Sequence, residues 1–309
     1  MPFLDLLLRR AAQLVLVLIG ISTLLFFLIR LSGDPAAILA GPQATPDQVM
    51  EFRRQLGLDR PLPVQYWSFL TDLVRLEFGD SFQFRQPAIE VVLSRFGASA
   101  QLTFAAVFIA LAVAIPFGVF AAVRRDRLSG NAVLTGTLLG QSVPNFVLGI
   151  LLILFFSVQL GWFPSFGRSG PLSLVLPALT LSGFMMARQT RLVRALMVEE
   201  LSKDYVRSAQ ANGIPLRRLR LNHTLRNVLV PVVGLAGIDI GQIFGGAVVT
   251  EVVFAWPGLG RLLVNAVLSR DFPLAQAAVF VLAVVVVVVN LTIDLVYRLL
   301  DPKLRSSAP

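Results

Sequence analysis

Two aspartates stand inside long apolar stretches of this 309-residue chain: Asp239 within Val228–Val253 and Asp294 within Leu274–Tyr297. An acid near the middle of a lipid-spanning helix costs about 2.5–3.5 kcal/mol on insertion scales unless it meets water or a partner, so such acids mark solute or ion routes. As a facing pair they could instead serve an intramembrane aspartyl protease, but Asp294 falls near the inner end of its stretch. Gln242 lies about 60° from Asp239 on a helix. Gln141 and Asn145 flank Pro144 and are further polar candidates for a translocation path. Other chemistry is excluded. The absence of Cys removes thiol catalysis and Cys-ligated metal, and a single histidine, His223, rules out a His-cluster metal site. Neither G-x-S-x-G nor H-E-x-x-H occurs. There is no G-x-x-x-x-G-K-[ST] phosphate loop either, so ATP hydrolysis, if it drives this chain, belongs to another polypeptide.

The elements that carry these residues are hydrocarbon-rich. The chain is 56% hydrophobic and 15% charged, with mean hydropathy +0.76, against about 25% charged for a soluble domain. Six membrane spans are expected, giving an all-α polytopic fold: about 11–29, 98–123, 132–160, 171–187, 228–253 and 274–297. The first is read as a retained span behind a short amphipathic lead, residues 1–10, since 31–35 offers no small-residue cleavage site. The third is expected to kink at Pro144, where Gln141, Ser142 and Asn145 can satisfy the freed backbone. In the fifth, Gly237, Gly241 and Gly245 repeat every four residues and form a ridge for close helix packing, with Asp239 and Gln242 on roughly the opposite face. Residues 31–97 are expected to form an ordered outer helical segment. Thr45-Pro46-Asp47 would start one helix and Gly57 close it; a second covers about 65–77, with Tyr66, Trp67 and Phe69 suited to the headgroup layer.

Net charge is +9. With six spans, 17 of the 27 Lys and Arg residues fall on the side of the termini, which places both termini in the cytoplasm. The basic excess is then topology, not a nucleic-acid surface. Its densest part is 188–227, a polar loop between spans four and five. It reads as a short helix capped by Ser202, with Asp204 in its first turn, Gly213 as a left-handed stop and Pro215 just beyond.

Asp204-Tyr205-Val206-Arg207-Ser208-Ala209, Gly213, His223 to Asn227 and Pro231 resemble the EAA-type coupling loop of ABC importer permeases of the dipeptide/oligopeptide/nickel type. Gln210 and Asn212 are neutral where that family is often basic. The resemblance continues through Gly33-Asp34-Pro35, Leu56 to Asp59, Gly79 to Ser81, Gly245 to Phe254, Pro257 to Gly260, Asp271 to Pro273, Asn290, Asp294 to Tyr297 and Asp301-Pro302, covering nearly the whole chain in order. It implies a single type-1 transmembrane domain over 1–309, multi-pass in a bacterial or archaeal cytoplasmic membrane. This chain would be one half of a translocation pathway and not an enzyme. Asp204, Tyr205, Arg207, Ala209 and Gly213 would couple it to a separate ATPase. The implied partners are a second permease, similar but not identical, two ATP-binding subunits that carry ATP and Mg, and an external binding protein. No cofactor or metal is expected on this chain. Peptide, glutathione and nickel-complex cargo stay open, and a secondary transporter or channel is the alternative to an ATP-driven importer.

Overall fold

The computed structural model describes residues 12, 15–27, 35–41, 43–55 and 57–300, with side-chain packing for all of these except 35, 38, 39, 138–140 and 294–300. The lead 1–10, the 31–34 and 301–305 motifs, and the side chains of Asp294 and Tyr297 lie outside that description. Helices make up the described chain: α1 (Val15–Phe27), α2 (Pro35–Ala40), α3 (Pro46–Gln55), α4 (Leu62–Arg75), α5 (Ala88–Val123), α6 (Leu128–Ser142), α7 (Asn145–Leu152), α8 (Val175–Leu201), α9 (Asp204–Ala211), α10 (Leu216–Arg218), α11 (Leu225–Val253), α12 (Leu259–Leu268) and α13 (Phe272–Leu300). A π-helical turn, Ile153–Gln159, extends α7, and another, Leu219–Thr224, joins α10 to α11. Four helical stretches are long and apolar enough to cross a membrane: Ala88–Val123, Pro171–Leu201, Leu216–Val253 and Phe272–Ile293. Val15–Phe27 and Asn145–Gln159 are shorter apolar helices.

The chain divides into two units. One comprises residues 1–98 and 257–288. Here α3 starts as the sequence predicts: the Thr45 amide donates to Gln48 Oε1 (2.9 Å) and the Gln48 amide to Thr45 Oγ1 (3.4 Å), a reciprocal cap that satisfies two orphan donors. Gly57 (φ +65°) ends the turn beyond it. Phe26 of α1 is buried against Tyr66 (5.2 Å between ring centres) and Phe69 (5.5 Å) of α4, and the Tyr66 and Thr23 hydroxyls share a 2.6 Å hydrogen bond. Trp67 points outward, 70% exposed. The buried Asp271 carboxylate accepts from the Leu274 amide (3.2 Å), capping α13, and from Ser81 Oγ (2.5 Å) and the Gln83 amide (3.1 Å), so it also fixes the 80–87 turn.

The second unit comprises residues 99–256 and 289–309. Its centre is α8, packed by α6, α7 and α11. Ala122, Val193, Met197, Val228 and Val232 form its buried apolar cluster. Lipid is as apolar as these side chains, so close fit, not water exclusion, holds such helices together. One such close fit is at Gly118 of α5, where an added Cβ would lie 2.6 Å from Val193 Cβ and 2.9 Å from the Thr190 carbonyl oxygen.

Several expectations need correction. The helix expected as the second span begins at Ala88, not about 98. Glu90 and Arg95 do not interrupt it, because Ala88, Val91 and Val92 are buried at helical spacing. The stretch expected as the third span is broken outright at Pro144 and not merely kinked, because Val143 is extended (ψ 123°) and a new helix starts at Asn145. The fourth helix runs to Leu201, fourteen residues past Ala187; charge on its far half does not end a helix whose other face still packs. The 254–273 loop contains α12.

Candidate coupling and translocation sites

Ser202 closes α8 and does not cap α9: its hydroxyl donates back to the Glu199 carbonyl (2.6 Å). The N-cap of α9 is Lys203, in extended conformation (φ −70°, ψ 152°). At the other end Gly213 takes φ +81°, with its amide donating to the Gln210 carbonyl (3.0 Å) and that of Ile214 to the Ala209 carbonyl (3.1 Å). This is the left-handed stop read from the sequence. Val206 is buried, fixing which face of α9 turns inward. Asp204 and Arg207 sit outward, 96% and 76% exposed, and are only 3.8 Å apart, a contact of little energetic weight. Ala209 is half-buried and Tyr205 is 39% exposed.

Glu200 is the residue that sequence reasoning missed. Its largely buried carboxylate receives Lys203 Nζ, the Tyr205 hydroxyl (3.0 Å) and Asn227 Nδ2 (2.9 Å). One side chain at the end of α8 therefore ties the start of α9 to the start of α11. The Glu200 carboxylate raises the Lys203 ammonium above its ordinary value, and burial pushes the Tyr205 phenol up. His223 is exposed in the π-helical turn.

Halfway along α8 and α11 a second polar link joins them. Asp239 is 2% exposed; its Oδ1 accepts from Arg188 Nη1 and its Oδ2 from Gln189 Nε2, both at 2.8 Å. Paired in this way, the acid escapes most of the cost of an isolated charge in lipid. Arg188 and Gln189, 51 and 50 residues away in sequence, give no local sign of this role. Asp239 also borders a cavity of about 210 Å³ lined by Asn145, Gln242, Leu181, Phe184, Met185 and others. Three of the four path candidates thus meet at one cavity; Gln141 is half-buried at the end of α6. Gly237 and Gly241 meet α13 closely, an added Cβ lying 2.6 Å from Ile293 Cγ2 and 2.8 Å from Asn290 Oδ1 respectively. Gly245 faces open space. Among the described residues no group of His, Cys, Asp and Glu could hold a metal ion.

The polar helix α9 thus lies between two long helices, α8 and α11, of a largely apolar fold. Comparison with known proteins gives the family. Residues 114–306 match the binding-protein-dependent transport system inner membrane component family, and residues 3–103 match the N-terminal region of such membrane components. The chain belongs to this family. It is 39% identical over 299 residues to the glutathione transport system permease protein GsiC of Salmonella typhi (96% of this chain, 98% of that one). Identity to GsiC of Escherichia coli (strain K12) is also 39%, over 298 residues (96% and 97%). Among solved structures, the inward-facing MetNI methionine ABC transporter shares the fold with TM-score 0.58 at 19% identity, over 68% of this chain and 96% of that one. The chain is a permease subunit of an ABC importer, a multi-pass membrane protein, and ATP hydrolysis lies on separate subunits.

Proposed function

We propose that this chain forms one half of the translocation pathway of an importer for short peptides or peptide-like solutes, glutathione among them, and that α9 is its contact with the ATPase. Cargo of this class is supported by GsiC, whose likeness spans nearly both chains. The working unit is a single domain over 1–309, with an outer segment at 31–97 and a coupling loop at 188–227. It has six spans and both termini in the cytoplasm of a bacterium or archaeon. Four long apolar helices, together with α1 and the broken α6–α7 stretch, support that number. The partners are a second, non-identical permease, two ATP-binding subunits that carry ATP and Mg, and an external binding protein; this chain binds no cofactor itself.

The observation that carries the reading is the Glu200 junction. A short helix with outward Asp204 and Arg207 is tied by one carboxylate to both long helices. Motion of an ATPase docked on α9 passes into α8 directly and into α11 through Asn227, and Arg188–Asp239 makes the two move together. The cavity at Asp239, Asn145 and Gln242 lies between elements that this motion displaces.

Gly213→Val tests the reading. A β-branched residue at φ +81° costs about 1 kcal/mol or more and re-aims α9. The reconstituted complex is expected to insert normally but lose cargo-stimulated ATP hydrolysis. Stimulation at the wild-type level would refute a coupling role for α9.

A further inference from the structure

Where α5 ends, three guanidinium groups gather without an acid. Arg124, Arg217 and Arg220 line a cavity of about 280 Å³. None of them forms an ion pair among the described residues, whereas the neighbouring Arg125 pairs with Asp126. The Nε of Arg220 is closed off from solvent and has no hydrogen-bond partner. Arg124 lies over the Phe120 ring, 4.4 Å from its centre, so its guanidinium plane is held in place.

The rest of the wall is hydrocarbon. Phe120, Val123 and Leu221 are 38%, 36% and 45% exposed, and Val119 is half-buried. This wall continues a helix whose outward side chains include Phe104, Phe108 and Phe117, 66%, 74% and 51% exposed. The cavity therefore sits where a long apolar helix meets its first charges, Arg124 and Arg125. An occupant must present an anion to three arginines and hydrocarbon to the wall beside them. An acidic loop of a soluble subunit or a free phosphate meets only the first demand.

We propose that this cavity binds the phosphate headgroup of an anionic membrane phospholipid, with the guanidinium groups on the phosphate oxygens and an acyl chain along Val119, Val123 and Leu221. Arginine suits this task because its planar fork donates two parallel hydrogen bonds to phosphate. Basic pockets at the ends of membrane helices bind such headgroups.

The test uses the whole importer, purified with its ATPase and second permease subunits and titrated with phosphatidylglycerol or phosphatidylcholine, bound lipid being counted by native mass spectrometry. The wild type is expected to retain phosphatidylglycerol preferentially. Arg217→Gln with Arg220→Gln is expected to weaken that retention about tenfold or more, since each arginine near an anionic lipid is worth roughly fivefold. Arg54→Gln with Arg75→Gln, which removes equal charge from α3 and α4, is expected to leave it unchanged. Should the first pair impair assembly, Arg217→Gln alone, at an exposed position, gives the same comparison with about fivefold loss. Equal retention of both lipids, equal loss in both variant pairs, or displacement by millimolar inorganic phosphate would overturn the proposal. So would retention that arises only after the ATPase subunits are stripped away, which would make the cavity a protein interface.

Discussion

At the scale of single residues, the central fact is that each acid buried among the described residues has a named partner. Asp239 has Arg188 and Gln189; Glu200 has Lys203, Tyr205 and Asn227; Glu251 has Ser99; Asp271 has Ser81 and two backbone amides. Removing one side of such a pair leaves the other charged and enclosed. Arg188→Leu is therefore expected to destabilise the solubilised complex by about 3 kcal/mol, the low end for a buried pair because Arg188 is itself one-third exposed. Arg188→Met combined with Asp239→Leu is expected to recover most of that loss, read from thermal unfolding in detergent. If Asp239 also borders the path, the stable double variant transports poorly. A cysteine at the exposed Gln242, in this cysteine-free chain, is then expected to react with a small water-soluble thiol reagent in at least one transport state. Complete protection with and without ATP would assign this face to packing. The sequence marks Asp239 and Gln242 as polar in an apolar span, but not what they touch. Pairing of Arg188 across 51 residues and of Glu200 across 27 has no local signature, so both read as two more charges in a charged segment.

At the scale of elements, the sequence is legible where a helix end depends on its own residues. Thr45, Pro46, Gly57 and Gly213 all do what their chemistry dictates. It is less legible where an end depends on packing. The polar second half of α8 is helical because Val193 and Met197 are buried on its other side. Helix α12 is short and follows Pro257-Gly258, yet Leu259, Leu262 and Ala266 carry the helical period that would have found it. The glycines of α11 allow a sharper test. Gly237→Val drives a side chain into Ile293 and Gly241→Val into Asn290, each expected to cost about 1–3 kcal/mol. Gly245→Val meets nothing within the described chain and is expected to leave its stability unchanged. Loss of the second permease on co-purification of that variant would identify Gly245 as a contact between subunits.

For the molecule as a whole, composition alone announces a membrane protein, and the order of motifs along the chain carries its family. Sidedness rests on the distribution of Lys and Arg and is open to direct measurement. Cysteines at Arg125 and at Gln48 are expected to behave oppositely toward an impermeant thiol reagent added outside intact cells: Gln48 labelled, Arg125 protected. The reverse pattern would invert the proposed topology. Cargo is less legible, because nothing in the cavity beside Asp239 is specific to one solute. Asn145 and Gln242 can hydrogen-bond many cargoes, and Phe184 and Met185 can contact many more.

The close approach at Gly118 has a mechanical consequence. Helix α8 has no proline after Pro177, and it is helical without a break from Val175 to Leu201 in spite of Gly183, so it can act as a rod from Leu181 to Glu200. Val193, pressed against Gly118, stands about 10 Å along the axis from Glu200 and about 18 Å from Leu181 at a rise of about 1.5 Å per residue. A rod held at that point is a lever with unequal arms. Sideways displacement of the Glu200 end would be reversed in direction and enlarged roughly 1.7-fold at Leu181, on the wall of the cavity. A push of about 2 Å at one end would become a swing of about 3.4 Å in the opposite sense at the other. Filling the fulcrum with Gly118→Ala shifts the pivot and changes that gearing. Gly118→Ala is therefore expected to change the amount of cargo moved per ATP hydrolysed by the reconstituted complex, and an unchanged ratio would remove Gly118 as a pivot.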